Sequence, residues 1–201
     1  MDLEKGHNKF KAILQTPKGL EAVKNYFRSE TIYSTNYLEY NSYTEQEVAS
    51  VADDGTIPDN VKLNYGTQET LWNLDAYDYM FCLSNQKGLT YSDILTSHRI
   101  FAFLLTNKLP GSIRDCTVKI VGHVSDITSY FCPPSNVESR LIKFIANMQE
   151  LDKHPDVSIF EKAGRLHTWL VNIHPFKDGN GRVCRLAINT FLLQNGYAPV
   201  N

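Results

Sequence analysis

Apolar residues along this chain recur mostly three and four positions apart, the spacing that gathers side chains onto one face of an α-helix. The clearest stripe is Ile159, Ala163, Leu166, Leu170 and Ile173, which predicts a central core helix over 159–173. Val137, Leu141, Phe144, Ile145, Met148 and Leu151 form a second stripe, with Ser135 as its expected N-cap. Helical spacing also covers Gln68 to Leu83 and Ser92 to Leu105, closed off by Gly88 and by Pro110–Gly111. A further helix is expected from about Arg182 to Gln194, ended by Asn195 and Gly196. Nearer the start, Gly19–Phe27 after Pro17 and Thr31–Asn41 read as two short helices. Thr44 with Glu47 has the form of a capping box that opens a third. Asp53 to Asp59 reads as a loop. The exception is Arg114 to Val124, where the alternation in CTVKIVG predicts a strand, half of a small hairpin. The fold class predicted is therefore mainly α.

Composition narrows the function classes. A chain of 201 residues suits one domain with a sizeable core. Its net charge of −2 comes without a basic run, so the electrostatic footprint of a nucleic-acid binder is absent. Cys82, Cys116, Cys132 and Cys184 are scattered without metal-ligand spacing and read as reduced thiols. The first residues, MDLEKGHNKFKAIL, are charged and lack an apolar signal core. No stretch approaches about eighteen consecutive apolar residues. The expectation is a cytoplasmic protein with no membrane partner.

The chemistry concentrates in His174–Arg185, HPFKDGNGRVCR. Pro175 separates His174 from the helix ending at Ile173, and Gly179, Asn180 and Gly181 can turn successive N–H groups inward to make a concavity for oxyanions. That turn opens a helix, whose N-terminal N–H groups and dipole favour phosphate. Asp178 is a hard oxygen ligand suited to Mg²⁺ bound together with substrate phosphates. Arg182 and Arg185, three apart, share a helix face as fork-shaped donors. His174 can take a proton from a hydroxyl at neutral pH, because unperturbed imidazole titrates near 6.5.

This string resembles the signature of the Fic (Fic/Doc) family, HPFx(D/E)GNGRxxR, and agrees with it at every fixed position. The resemblance implies a Fic-domain helical bundle with a small β-hairpin flap over the active site. It also implies transfer of AMP from ATP to a Ser, Thr or Tyr hydroxyl of a target protein, with release of pyrophosphate. His174 would be the general base and Asp178 the Mg²⁺ ligand. Gly179, Asn180 and Gly181 would form the anion hole, Arg182 and Arg185 would hold phosphates, and Phe176 would be a buried anchor. Arg114 to Gly122 resembles the segment leading into the flap, placed here at about 116–131, where backbone pairing would register the target. His167 and His98 lie in stretches similar to other helices of the domain and are read as packed core histidines. Tyr37, Tyr40 and Tyr43 are read as packing residues.

Thr35 to Thr44, TNYLEYNSYT, resembles the Fic inhibitory motif (S/T)xxxE(G/N), as found in the subclass whose inhibitory helix precedes the core. Thr35 and Glu39 fill its fixed places, and Tyr40 stands where the family has Gly or Asn. The resemblance implies that Glu39, on an inhibitory helix at about 31–44, pairs with Arg185 and withholds it from the γ-phosphate. It divides the chain into an N-terminal helical region, 1–66, and a Fic core, 67–201. Many members continue past the point matching Asn201 with helices that help line the adenine pocket, which leaves a homo-oligomer open. Three alternatives stay open as well: removal of AMP from a modified target, transfer of another nucleotide, and a non-catalytic nucleotide-binding interaction module.

Overall fold

A computed structural model describes residues 3–53, 57, 65–102, 109–121 and 128–200. They form helices α1 (Leu3–Leu14), α2 (Pro17–Leu38), α3 (Glu45–Asp53), α4 (Tyr65–Leu83) and α5 (Tyr91–Ala102). Strands β1 (Lys119–Val121) and β2 (Thr128–Tyr130) follow, then α6 (Pro134–Leu151), α7 (Ile159–Ile173) and α8 (Asn180–Gln194). The chain divides into two compact units, 1–87 with 189–201, and 88–188.

In the first unit α2 packs on α1, α3 and α4. The sequence predicts two short helices where one of 22 residues forms, because Arg28, Ser29 and Glu30 offer no Gly or Pro to break it. Thr16 caps it, its Oγ1 accepting the Gly19 N–H at 3.0 Å, and Pro17 begins the first turn. The helix stops at Leu38 rather than Asn41. The N–H of Tyr40 returns to the Tyr37 carbonyl and that of Asn41 to the Asn36 carbonyl, the paired bonds of a Schellman ending. The left-handed residue of that ending is Tyr40, φ +62°, at the position where Gly or Asn is at ease. Helix α1 is not predicted by the apolar spacing of its few hydrophobic residues.

Polar side chains tie the end of α2 to α4. Asn36, wholly buried, donates from Nδ2 to Thr70 Oγ1 at 2.8 Å and accepts from Asn73. Asn41 donates to Glu69 and to the Gly66 carbonyl. The capping box that opens α3 forms: Glu47 Oε2 accepts from the Thr44 N–H and hydroxyl, both at 2.8 Å, and Thr44 Oγ1 accepts the Glu47 N–H. Of the three tyrosines read as packing, only Tyr43 is buried, its hydroxyl on Thr67. Tyr37 and Tyr40 are 67% and 95% exposed, since both lie on the solvent side of the helix ending.

The second unit packs α6 on α5 and α7. Both predicted stripes are buried along it, through Val137, Leu141, Phe144, Met148 and Leu151 on α6 and Ala163, Leu166, Leu170 and Ile173 on α7. Ser135 does not cap α6: Pro133 holds that place with no side-chain cap, and Pro134 begins the helix. Consecutive prolines fix the extended entrance backbone two residues earlier than the serine signal. His167, read as a core histidine, is exposed, because it falls on the flank of the buried α7 stripe rather than within it. β1 and β2 pair antiparallel with Ile120 opposite Ser129. The predicted strand is thus three residues long, and 122–127, within the expected flap, lie outside the described residues.

Candidate active site

The site begins where α7 ends. Pro175 disfavours helical backbone at the residue before it, and His174 turns left-handed instead (φ +49°, ψ +63°) while its N–H still reaches the Leu170 carbonyl at 3.0 Å. The imidazole stacks on Phe131, centroids 3.7 Å apart and planes 14° from parallel. Its Nδ1 is buried with no hydrogen-bond partner among the described residues. Burial pushes the ring's pKa below its ordinary 6.5, and the positive charge of Arg114 pushes the same way; the nearby Val171 carbonyl and Asp178 oppose them. The ring is therefore neutral at pH 7 and able to accept a proton.

Arg114 holds this corner in shape. It is 2% exposed, and its guanidinium donates to the carbonyls of His174 at 2.6 Å, Cys116 at 2.8 Å, Ile173 at 3.3 Å and Cys132. Its own N–H donates to the Pro175 carbonyl at 2.8 Å. No carboxylate is among these acceptors. The charge is met instead by carbonyls, two of them at the C-terminus of α7, the negative end of that helix's dipole.

The loop is then closed on itself. Asn180 Oδ1 accepts the Phe176 N–H at 2.9 Å and its Nδ2 donates to the Phe176 carbonyl at 2.8 Å. Phe176, fully buried, stacks face to face on His98, 3.8 Å between centroids and 4° between planes. The Gly111 N–H donates to His98 Nδ1 at 2.9 Å, which makes Nδ1 the acceptor and leaves the proton on Nε2 to donate to the Asp178 carbonyl at 3.2 Å. Gly179, φ +73°, passes close enough to His98 that a Cβ there would meet the ring at 3.5 Å. Its N–H donates to Asp178 Oδ1 at 2.7 Å.

From this loop α8 departs at Asn180, two residues earlier than the apolar spacing predicts. Its first backbone bond runs from the Val183 N–H to the Gly179 carbonyl, so the N–H groups of residues 180–182 head the helix where an anion would bind. Arg182 is 4% exposed, its guanidinium 5.9 Å from the centroid of the Phe101 ring; Arg185, one turn on, is half-buried. Asp178 is a half-buried carboxylate at the loop's outer edge. No group of three or more His, Cys, Asp or Glu converges on a cation position among the described residues. A single carboxylate fits Mg²⁺ that keeps its waters and takes its other ligands from phosphate oxygens.

The structure thus gathers His174, Phe176, Asp178, Gly179, Asn180, Gly181, Arg182 and Arg185 into one loop and helix head of the second unit. Thr35 and Glu39 lie in and just after the last turn of α2, in the first unit. Sequence reasoning misses Arg114 and His98 as supports of the loop. An isolated arginine before a strand and a histidine on a helix carry no such signal, since each acts on residues 60 to 80 positions away.

No helix among the described residues is long and apolar enough to cross a membrane. Known proteins resemble this chain in sequence and in fold. The chain is 27% identical over 203 residues to the protein adenylyltransferase Fic of Drosophila ananassae, a match that covers 98% of this chain and 38% of that one. The relative of the same name in Nematostella vectensis is 27% identical, with 98% and 46% covered. The chain therefore spans less than half the length of these curated relatives. Among solved structures, a Fic domain-containing signalling protein from Bacteroides thetaiotaomicron superposes with a TM-score of 0.81 at 23% identity, covering 96% of this chain and 73% of that one. Fic-1 from C. elegans superposes at 0.68 and 19%, covering 98% and 58%. Residues 88–192, which carry the whole of the His174–Arg185 loop and helix head, match the Fic/DOC family, and the chain belongs to that family.

Proposed function

We propose that the chain is a protein adenylyltransferase, moving AMP from ATP to a Ser, Thr or Tyr hydroxyl of a target protein. The observation that carries this reading is a neutral, left-handed His174 held rigidly at the mouth of a loop whose next helix begins with N–H groups and two arginines. The name of the curated relatives, protein adenylyltransferase Fic, supports it. In the reaction, the target hydroxyl oxygen attacks the α-phosphorus as His174 takes its proton. The bond from the α-phosphorus to the bridging oxygen breaks, and pyrophosphate leaves with that electron pair. N–H groups at the head of α8, at Asn180 and Gly181 after the Gly179 turn, with Arg182 and Arg185, stabilise charge on the phosphates. Mg²⁺, held by Asp178 with phosphate oxygens and water, would neutralise phosphate charge.

The target peptide pairs with the backbone of the flap, about 116–131, whose β1–β2 ladder is its base. Glu39 restrains the enzyme by competing with the γ-phosphate for Arg185. The enzyme works in the cytoplasm, and a second copy of the chain is among its partners. The test is the intact mass of wild type, Glu39→Gly and each with His174→Ala after incubation with ATP and Mg²⁺. One added AMP on Glu39→Gly, little on wild type and none with His174→Ala is expected. An adduct that survives His174→Ala overturns the assignment of the base.

A further inference from the structure

Beside the His174 corner, α6 and α7 enclose a groove of about 820 Å³, within the size range of specific binding sites. Phe131, the stacking partner of His174, is among its lining residues, so the groove adjoins the candidate base. Arg140, Lys143 and Asn147 line it from α6, and Trp169 and Asn172 from α7. Arg140 and Lys143 are exposed. Neither has an ion pair among the described residues.

The charge pattern changes along the groove. Past Asn147 and Trp169 it continues into a smaller hollow of about 280 Å³ that contains Glu150 and Arg165. Those two charges are already matched, Glu150 by Lys153 at 2.7 Å and Arg165 by Glu161 at 2.5 Å. Only the end next to His174 presents cations without anions. It also presents the Asn147 amide and the Trp169 indole, which have no side-chain hydrogen bond among the described residues. A concave wall of donors and positive charge, with an aromatic face at its mouth, is complementary to carboxylates on an extended chain.

We propose that this groove is the specificity site of the enzyme, seating an acidic segment of the target protein that flanks the modified hydroxyl. The inference rests on the transferase reading for its purpose, but the binding stands apart from catalysis. Arg140 and Lys143 meet the segment's Asp or Glu side chains, Trp169 covers its backbone, and the neighbouring hydroxyl reaches His174 past Phe131. A substrate with basic flanks is turned away by like charge.

The test uses the full chain carrying His174→Ala, which silences transfer, and Trp72→Phe, which leaves Trp169 as the one tryptophan. Three peptides are titrated while Trp169 emission is followed: serine flanked on both sides by glutamates, the same peptide with glutamine for glutamate, and the same with lysine. The acidic peptide is expected to change the emission and to bind about tenfold more tightly than the glutamine peptide. That advantage should shrink as salt is raised, and it should vanish in Arg140→Gln/Lys143→Gln with circular dichroism unchanged. Equal affinity for acidic and glutamine peptides, or an advantage untouched by the double substitution, overturns the proposal. So does an emission change produced equally by inorganic phosphate that the acidic peptide cannot displace, since the groove is then a phosphate site. Failure of AMP transfer in the intact-mass assay refutes the proposed function and leaves this binding result standing.

Discussion

Replacing Arg114 by methionine, which keeps much of the buried volume and removes the charged fork, should cost the second unit about 4 to 7 kcal/mol. The sum runs over its acceptors. Cys116 is exposed, and water takes over its carbonyl. The carbonyls of Cys132, Ile173 and His174 sit on residues that are 8% exposed, 6% exposed and half-buried. They lose a charged donor with little access to a substitute, at roughly 1 to 3 kcal/mol for each buried orphan. The 3.3 Å bond to Ile173 belongs at the bottom of that range and the 2.6 Å bond to His174 nearer the top. A loss of this size is a large part of the roughly 5 to 15 kcal/mol that holds a domain folded. Denaturation followed by Trp169 emission in a Trp72→Phe background reports on this unit. The same substitution should raise the pKa of His174 toward 6.5, because the Arg114 charge is one of the two influences depressing it. Arg114→Lys separates the effects: it keeps the charge, so the histidine stays depressed in an NMR titration, but it loses the fork and with it part of the stability. A destabilisation under about 1 kcal/mol in Arg114→Met, or a His174 pKa that does not rise, refutes the clamp.

Asn180→Ala orphans the buried N–H and carbonyl of Phe176, and a loss of about 2 to 4 kcal/mol in urea denaturation is expected. Tyr40→Gly removes a left-handed non-glycine residue from a surface turn and should stabilise the first unit by about 1 kcal/mol, read as an upward shift of its thermal midpoint; a downward shift would count against the strain. The rate of AMP transfer should fall as the pH drops through the lowered pKa of His174, where the ring takes up a proton and ceases to be a base, so the midpoint of this limb should lie below 6.5. A midpoint at or above 6.5 that belongs to this residue contradicts the depression. Removing Mg²⁺ with a chelator should abolish transfer while leaving the circular dichroism spectrum unchanged, because no bond within the fold depends on the cation.

What can be read from the sequence is whatever lies close together in it. The apolar stripes of α6 and α7 are local repeats, and the His174–Arg185 loop packs its chemistry into twelve residues, so both are legible from residue order alone. The capping box at Thr44 and Glu47 is legible for the same reason. What fails depends on distance or on a missing signal. The spacing predicts two helices where α2 is one, since the helix runs on through Arg28–Glu30 with buried residues on either side of that stretch, Val23 before it and Ile32 and Asn36 after it. Ser135 looks like a cap, but the prolines before it have already set the backbone. Arg114 and His98 are invisible as supports because a buried cation satisfied by carbonyls leaves no paired carboxylate to find in the sequence, and a ring stacked on a residue far along the chain leaves no local pattern.

The same contrast explains how the three residues Gly179, Asn180 and Gly181 divide their labour. The sequence groups them as one phosphate cradle, yet the Asn180 side chain is committed in both directions to the Phe176 backbone. Gly179 supplies the left-handed turn and the close approach to His98, and Gly181 is in the first turn of α8. What this segment can offer a phosphate is therefore main-chain N–H, held in place by the bonds of the Asn180 side chain to the Phe176 backbone. Such donors need little rearrangement when negative charge develops, which is the condition under which they contribute most to a transition state. In the proposed reaction the side chains of Arg114, His98 and Asn180 act through that rigidity, so their loss should lower transfer although none of these side chains touches substrate.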